Sequence, residues 1–519
     1  MSQQALTPDT AARRLALRLA VATLGRWTDR ARRAAAQRPP DRVGTPGRVR
    51  RHTEAASDRA SDPAARRSAR AVPLPDAARE PAHAAQRPVE DRPSDAAPAR
   101  PADRARRSTD HADPACSGPP TAPVDHPGDP GIPVLARLVA AMGDAEAAAV
   151  AARAAAVWAR GAGRGPGHRG LFDGGLAGTL VGLRQCAVLH PALHPVADRL
   201  RDRLLDHPAR PCANGAAKPP HGRPTGAPER YGSVTFPDYD LILGPSGVLL
   251  ALTADGHEAR GTPGEAEFGP AAYAAYVSSA ARLAVLCDSA ELPGLRTHYP
   301  AHPALGWLHG RINTGMGHGV AGVTAALTAA VRQVGPRPEL AAALGNTCRW
   351  LMKESFDDAR DIRTWTGCGL DGQNRPPGAH ARQAWCYGTP GVSWALWDAA
   401  DALGDPVGAA WAAAAFRTLV DGYHEGFHLF GDHPGDRLGL CHGAAGVLAV
   451  ADAMRRHGRL PAAAALRERL LAHFVAHEDE LWSLAEERCG LLGGAGGALA
   501  AVLTATGGNR GWLPSAGLR

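Results

Sequence analysis

Apolar residues are distributed in two regimes along the chain. From Ile132 onward, Ala/Leu/Val-rich segments repeat with helical spacing at 134–160, 270–288, 319–333, 338–352, 408–420 and 460–475. Strand-like alternation is nearly absent, so this portion reads as all-α. Ahead of it, residues 11–36 carry Leu17, Val21 and Leu24 at helical spacing and predict an amphipathic helix. Residues 38–131 are dominated by Ala, Arg, Pro, Asp and Ser. Such a stretch has too little apolar surface to offset the entropy of ordering it, and is expected to be a disordered linker. The expected organisation is a helix within 1–37, a disordered extension over 38–131 and one helical domain over 132–519.

The glycines of that domain are not scattered. Two glycines three apart recur ahead of an apolar helix: Gly175/Gly178, Gly244/Gly247, Gly319/Gly322, Gly388/Gly391, Gly443/Gly446 and Gly493/Gly496. The second glycines are spaced by 69, 75, 69, 55 and 50 residues, each about the length of two helices with their loops. One unit recurring at such a period implies stacked helical hairpins that bury their faces against one another. A helix that begins at such a turn can bring its backbone against a neighbour, with the N–H groups of its first turn pointing outward. Six copies closed into a ring would gather six helix N-termini at one end of a central cavity.

Charge and cysteine content narrow the function. The net charge is +7, and residues 1–130 hold 23 Arg against 16 acidic residues, so the remainder is balanced. The helical domain therefore carries no excess charge to recruit nucleic acid. Nine cysteines are spread without the dense even spacing of a disulfide scaffold. No signal peptide is recognisable, because Arg13, Arg14 and Arg18 interrupt the only apolar N-terminal stretch. No run of 18 apolar residues exists, so no membrane span is expected. These features predict a reduced, cytoplasmic protein.

Three of the six turns carry side chains with chemistry. His318 stands at the third, Cys386 at the fourth, and Cys441 with His442 at the fifth. Two thiolates and an imidazole form a good ligand set for Zn²⁺. The cysteines are 55 residues apart, so the set forms only if consecutive turns meet. Three protein ligands would leave a fourth position open, as in catalytic zinc sites. Cys186, Cys287 and Cys348 lie inside helical stretches and read as core residues, and Cys489 is left outside the site. His318 could close the zinc shell as a fourth ligand. Its chemistry favours a general acid/base beside an open metal. Asp240, four residues before Gly244, could orient a histidine or act as an ordinary helix cap.

The run GHGVAG, WCYG-x-PG and CHG-x-AG, in that order, resembles the LanC-like family of lanthipeptide cyclases over about 132–515. The resemblance implies an α,α-toroid of seven helical hairpins. With six glycine turns visible, the seventh hairpin is either glycine-poor or built from N-terminal sequence, and the 11–36 helix could be a displaced opening helix. It also implies one zinc per chain on Cys386, Cys441 and His442, with His318, Asp240 and Arg382 as catalytic residues. Trp385 and Tyr387 match aromatic positions flanking the first ligand, in the substrate pocket. The implied reaction adds a peptide cysteine thiolate to dehydroalanine or dehydrobutyrine, giving a thioether ring. The stand-alone class I arrangement implies a dehydrated precursor peptide with a leader as substrate. A separate dehydratase is then the expected partner, with a transporter in the same complex and membrane association only through such partners. The irregular segments 205–238 and 353–381 are candidates for reading the leader. Two other classes share parts of the pattern. Prenyltransferase-like toroids also activate thiols on zinc but include a carboxylate ligand, and a LanC-like zinc protein could bind thiols such as glutathione without cyclising a peptide.

Overall fold

Glycine-started helices and their returning partners build a closed double ring. The computed structural model describes residues 7–37, 126–206, 234–254 and 269–519. Most of the expected linker 38–131 and most of the 205–238 segment therefore lie outside the described residues. The helices are α1 Pro8–Ala36, α2 Gly131–Met142, α3 Ala145–Gly161, α4 Leu176–Leu189, α5 His194–Asp206 and α6 Pro245–Thr253. They continue as α7 Pro270–Val285, α8 Val320–Val334, α9 Pro338–Lys353, α10 Thr389–Leu403 and α11 Pro406–Gly422. The last are α12 Ala444–Arg456, α13 Pro461–Ala476, α14 Glu478–Glu487 and α15 Ala495–Ala505. Strand structure among the described residues is limited to the short pair Phe356–Asp357 and Arg363–Thr364.

The inner ring consists of α2, α4, α6, α8, α10, α12 and α15. Each packs on the next, and α15 returns to α2. These helices are apolar around nearly their whole circumference, and every residue of α15 is buried, as expected for a helix enclosed on all sides. The outer helices α3, α5, α7, α9, α11 and α13 each follow an inner helix and bury one face. The fold is thus the all-α toroid that the turn spacing anticipated.

Two features depart from the sequence reading. The apolar run 134–160 is two helices, broken at Gly143, with the Asp144 side chain accepting from the Ala147 N–H at 2.9 Å. The seventh inner helix is α2, which opens on Gly128-Asp-Pro-Gly131, a seventh turn with glycines three apart. The missing outer partner is α1. It packs on α15, α13, α3 and α2, taking the place after the last inner helix. Ala12, Leu15, Ala16, Leu19, Ala20 and Leu24 form its buried stripe. Asp9 receives the Arg467 guanidinium, and Arg18 and Arg26 pair with Glu478 and Glu486 of α14.

The C-terminal residues line the interior of the ring. The indole N–H groups of Trp385 and Trp394 donate to the carbonyls of Ala516 and Gly517, both at 2.8 Å. Arg519 pairs with Asp398 and Asp401 near the end of α10. Among the described residues, no helix is long and apolar enough to cross a membrane.

Because α1 completes the outer ring, its core contacts should matter as much as those of any internal helix. Leu24→Ala deletes a fully buried side chain and is expected to cost about 3 kcal/mol, read as a lower urea midpoint against Val407→Ala, at an exposed position.

Candidate metal centre

Residues far apart in sequence meet because neighbouring turns share backbone hydrogen bonds. Leu171 N–H donates to Ile242 O at 2.9 Å, Leu241 to Gly317 O at 3.1 Å, and Met316 to Cys386 O at 2.8 Å. Cys386 N–H then donates to Cys441 O at 3.3 Å, and Cys441 N–H to Leu492 O at 2.9 Å. At the last junction the Asp129 carboxylate substitutes for a carbonyl, accepting from the Leu491 and Gly131 N–H groups at 2.9 and 2.8 Å. This belt places turns two to five side by side.

The second glycine of each turn lets its helix close onto a carbonyl of its own lead-in segment, with the neighbouring turn packed alongside. A Cβ at Gly391 would stand 2.0 Å from Trp385 O, and one at Gly446 would stand 2.1 Å from Leu440 O. The same test corrects the sixth turn. Its helix is capped by Gly494, and Gly497 meets Leu491 O at 1.8 Å, so the repeat there is Gly494/Gly497 and not Gly493/Gly496.

Across the fourth and fifth turns, Cys386, Cys441 and His442 offer ligand atoms that all lie within 4.8 Å of one another. Zinc bonds of roughly 2.3 Å to sulfur and 2.0 Å to nitrogen put tetrahedral ligand atoms about 3.5–3.8 Å apart, so the donor set fits this ion with slight closure. Among the described residues, no carboxylate joins the group, in contrast to the carboxylate-containing shell of a prenyltransferase-like centre. The nearest one, Asp436, faces His442 Nδ1 at 3.6 Å. Its pairing with His442 holds its carboxyl below the usual carboxylate range, assisted by the charges of Arg382 and His433.

His318 and Asp240 stand on the adjoining turns. His318 Nδ1 lies 2.6 Å from Asp240 Oδ2. The other oxygen of Asp240 accepts from the Leu243 and Gly244 N–H groups at 2.8 and 2.7 Å, so the residue is both a turn cap and a histidine partner. Burial pushes the Asp240 carboxyl up, opposed by His318 and the two backbone donors. The His318 ring stacks on Phe236 at 4.3 Å, and its carbonyl accepts from the Tyr239 hydroxyl at 2.8 Å. Next to His318, a Cβ at Gly317 would sit 3.9 Å from the Cys386 Cβ, so this pair borders the cysteine–histidine group.

Arg382 is placed on the fifth-turn side. Its guanidinium covers the Phe430 ring at 4.0 Å, and its Nη1 is buried without a hydrogen bond. Asp240 hydrogen-bonds with His318, Leu243 and Gly244. Trp385 and Tyr387 are set beneath the site: Trp385 is wholly buried against the C-terminal tail, and the Tyr387 hydroxyl accepts from Asn313 Nδ2 at 2.7 Å. Both side chains are buried. Cys489 lies outside the cysteine–histidine group, with its sulfur toward Arg30.

The sequence reading missed Asp436, Phe236 and Tyr239. Tyr239 and Phe236 had a local signal, since Thr235-Phe-Pro-Asp238 forms a reciprocal cap immediately before Asp240, with Asp238 accepting from the Thr235 N–H and hydroxyl at 2.7 Å. Asp436 had none, because the single helical turn that carries it, Pro434–Leu438, is not part of the repeat.

A family model described as lanthionine synthetase C-like protein matches residues 227–515, more than half of the chain. The chain belongs to the lanthionine synthetase C-like family. A solved structure of a nisin cyclase superposes with a TM-score of 0.53 at 16% identity, covering 75% of this chain and 91% of that one. At that identity the likeness establishes the shared fold. No curated protein sequence matches. The family model spans the second to sixth glycine turns identified above, and α1 to α5 complete the toroid outside it.

If the glycine contacts set the ligand spacing, a single methyl group should disrupt it. Gly446→Ala forces its turn away from Leu440 O and the Trp385 Cβ, 2.1 and 2.6 Å from the added carbon. It is expected to lower the thermal midpoint and weaken metal retention together, whereas Gly161→Ala, which meets open space, should leave both unchanged.

Proposed function

We propose that this lanthionine synthetase C-like protein is a zinc-dependent lanthipeptide cyclase. The observation that carries the reading is the meeting of Cys386, Cys441 and His442 beside the His318–Asp240 pair. Zinc held by the two cysteines and His442 would bind a substrate thiol and lower its pKa, so that sulfur is presented as a thiolate at neutral pH.

The chain's own residues handle the charge and the proton. As sulfur bonds to the β-carbon of a dehydroalanine or dehydrobutyrine, the C=C π pair moves toward the neighbouring carbonyl and an enolate forms. With Nδ1 engaged by Asp240, His318 delivers a proton from Nε2 to the α-carbon. The buried Asp240 carboxylate holds the ring in that orientation and offsets its positive charge. Arg382, with a buried Nη1 not committed to another group, is suited to receive the developing enolate oxygen. One S–H is consumed, and one C–S and one C–H bond form across the former double bond. The substrate is thus a precursor peptide already dehydrated by a separate dehydratase, with a transporter as a further candidate partner.

Two measurements test this. Purified protein should carry about one zinc per chain, and Cys441→Ala should lose it; a well-folded wild-type protein without zinc would refute the centre. His318→Asn should keep its zinc yet cyclise a dehydrated Cys-containing peptide 10²–10⁴-fold more slowly, followed as free-thiol loss by mass spectrometry. An unchanged rate would remove His318 from the chemistry.

A further inference from the structure

The segment leading to the fifth turn is held with unusual completeness. His433 accepts the Gly435 N–H on Nδ1 at 2.9 Å, and its Nε2 meets Glu487 at 2.7 Å. Arg437 pairs with Glu480 at 2.7 Å and caps the Gly431 carbonyl. Gly435 and Gly439 press against the sixth turn, where a Cβ would reach Gly493 O at 2.5 Å and Leu492 O at 3.2 Å. Gly431 has φ +126°, and a Cβ there would meet the Asp436 Cβ at 2.5 Å and its Oδ2 at 2.8 Å. Each contact fixes the backbone around one side chain, Asp436, whose carboxylate faces His442 Nδ1 at 3.6 Å.

A histidine that ligates a metal through one nitrogen commonly gives its other N–H to a carboxylate, which sets the tautomer, the ring orientation and the donor strength. We infer that Asp436 is a positioning residue for the metal centre, receiving Nδ1–H of His442 so that Nε2 is the ligating nitrogen. This rests on the zinc-centre reading above. Asp436 also ties the centre to Arg382, which lies within its electrostatic reach and covers Phe430 of the same segment. The carboxylate thereby faces a proposed ligand and lies in the field of a proposed enolate-binding cation.

The test is zinc affinity, measured by competition with a chromophoric chelator on the full-length protein, with the absorption spectrum of the cobalt-substituted form as a second readout. Asp436→Ala is expected to weaken zinc 10–100-fold and to shift the cobalt spectrum. Asp436→Asn, of the same shape and with an oxygen that still accepts Nδ1–H, should lose less than Asp436→Ala and guards against a folding artefact. Equal zinc affinity and equal spectra for the wild type and both variants would overturn the role of Asp436 while leaving the centre intact. Absence of zinc from the wild type would overturn the centre and this inference together.

Discussion

The interaction on which the molecule depends is the belt of backbone hydrogen bonds between successive helix-starting turns. Each turn donates to the next across fifty or more residues of sequence, from Leu171–Ile242 to Cys441–Leu492, and Leu491 then donates to the Asp129 carboxylate. A buried N–H without a partner costs free energy comparable to a lost hydrogen bond. The turns must therefore approach within about 3 Å of one another. Within each turn the second glycine lies against a carbonyl of its own lead-in, Trp385 O for Gly391 and Leu440 O for Gly446, where a Cβ has no room, which is why the glycines recur. The outer helices and loops carry no comparable constraint, and the intervals between turns vary accordingly.

The site is a by-product of that belt. The side chains that differ from turn to turn, Asp240, His318, Cys386, Cys441 and His442, occupy positions whose backbones are already fixed by their neighbours. Little additional machinery is needed to bring a carboxylate to an imidazole or two sulfurs to a third ligand. What is added lies just outside the repeat: Phe236 and Tyr239 confine His318, and the Pro434–Leu438 turn presents Asp436 to His442. Precision at such a centre comes from these supporting contacts as much as from the ligands.

Much of this was readable from sequence, for a physical reason. Close backbone approach demands glycine, so the turns that build the ring leave a mark at fixed spacing, and residues at equivalent points of the repeat could be placed together without coordinates. The turn ahead of α2 escaped notice because Gly128-Asp-Pro-Gly131 sits at the edge of a low-complexity stretch. Gly493 and Gly494 could not be told apart by spacing, since either gives a plausible partner three residues on. Trp385 and Tyr387 stand beside a ligand in sequence, but adjacent residues at a turn point to different sides, and these two face the core. Asp436 left no trace, because single-turn supports carry no periodicity.

The pairing of α1 with α15 has a bearing on how the chain is made. α1 covers α15, and its acidic and basic side chains are matched to Arg467, Glu478 and Glu486. The stripe from Ala12 to Leu24 can dock early on α2 and α3, but its contacts with α13 and α15 wait for helices far along the chain. The toroid therefore cannot be assembled hairpin by hairpin to a finished state, since its seam joins α1 to helices far away in sequence. Until α13 and α15 are in place the ring is an open arc, and its closure against α1 is a late event in folding.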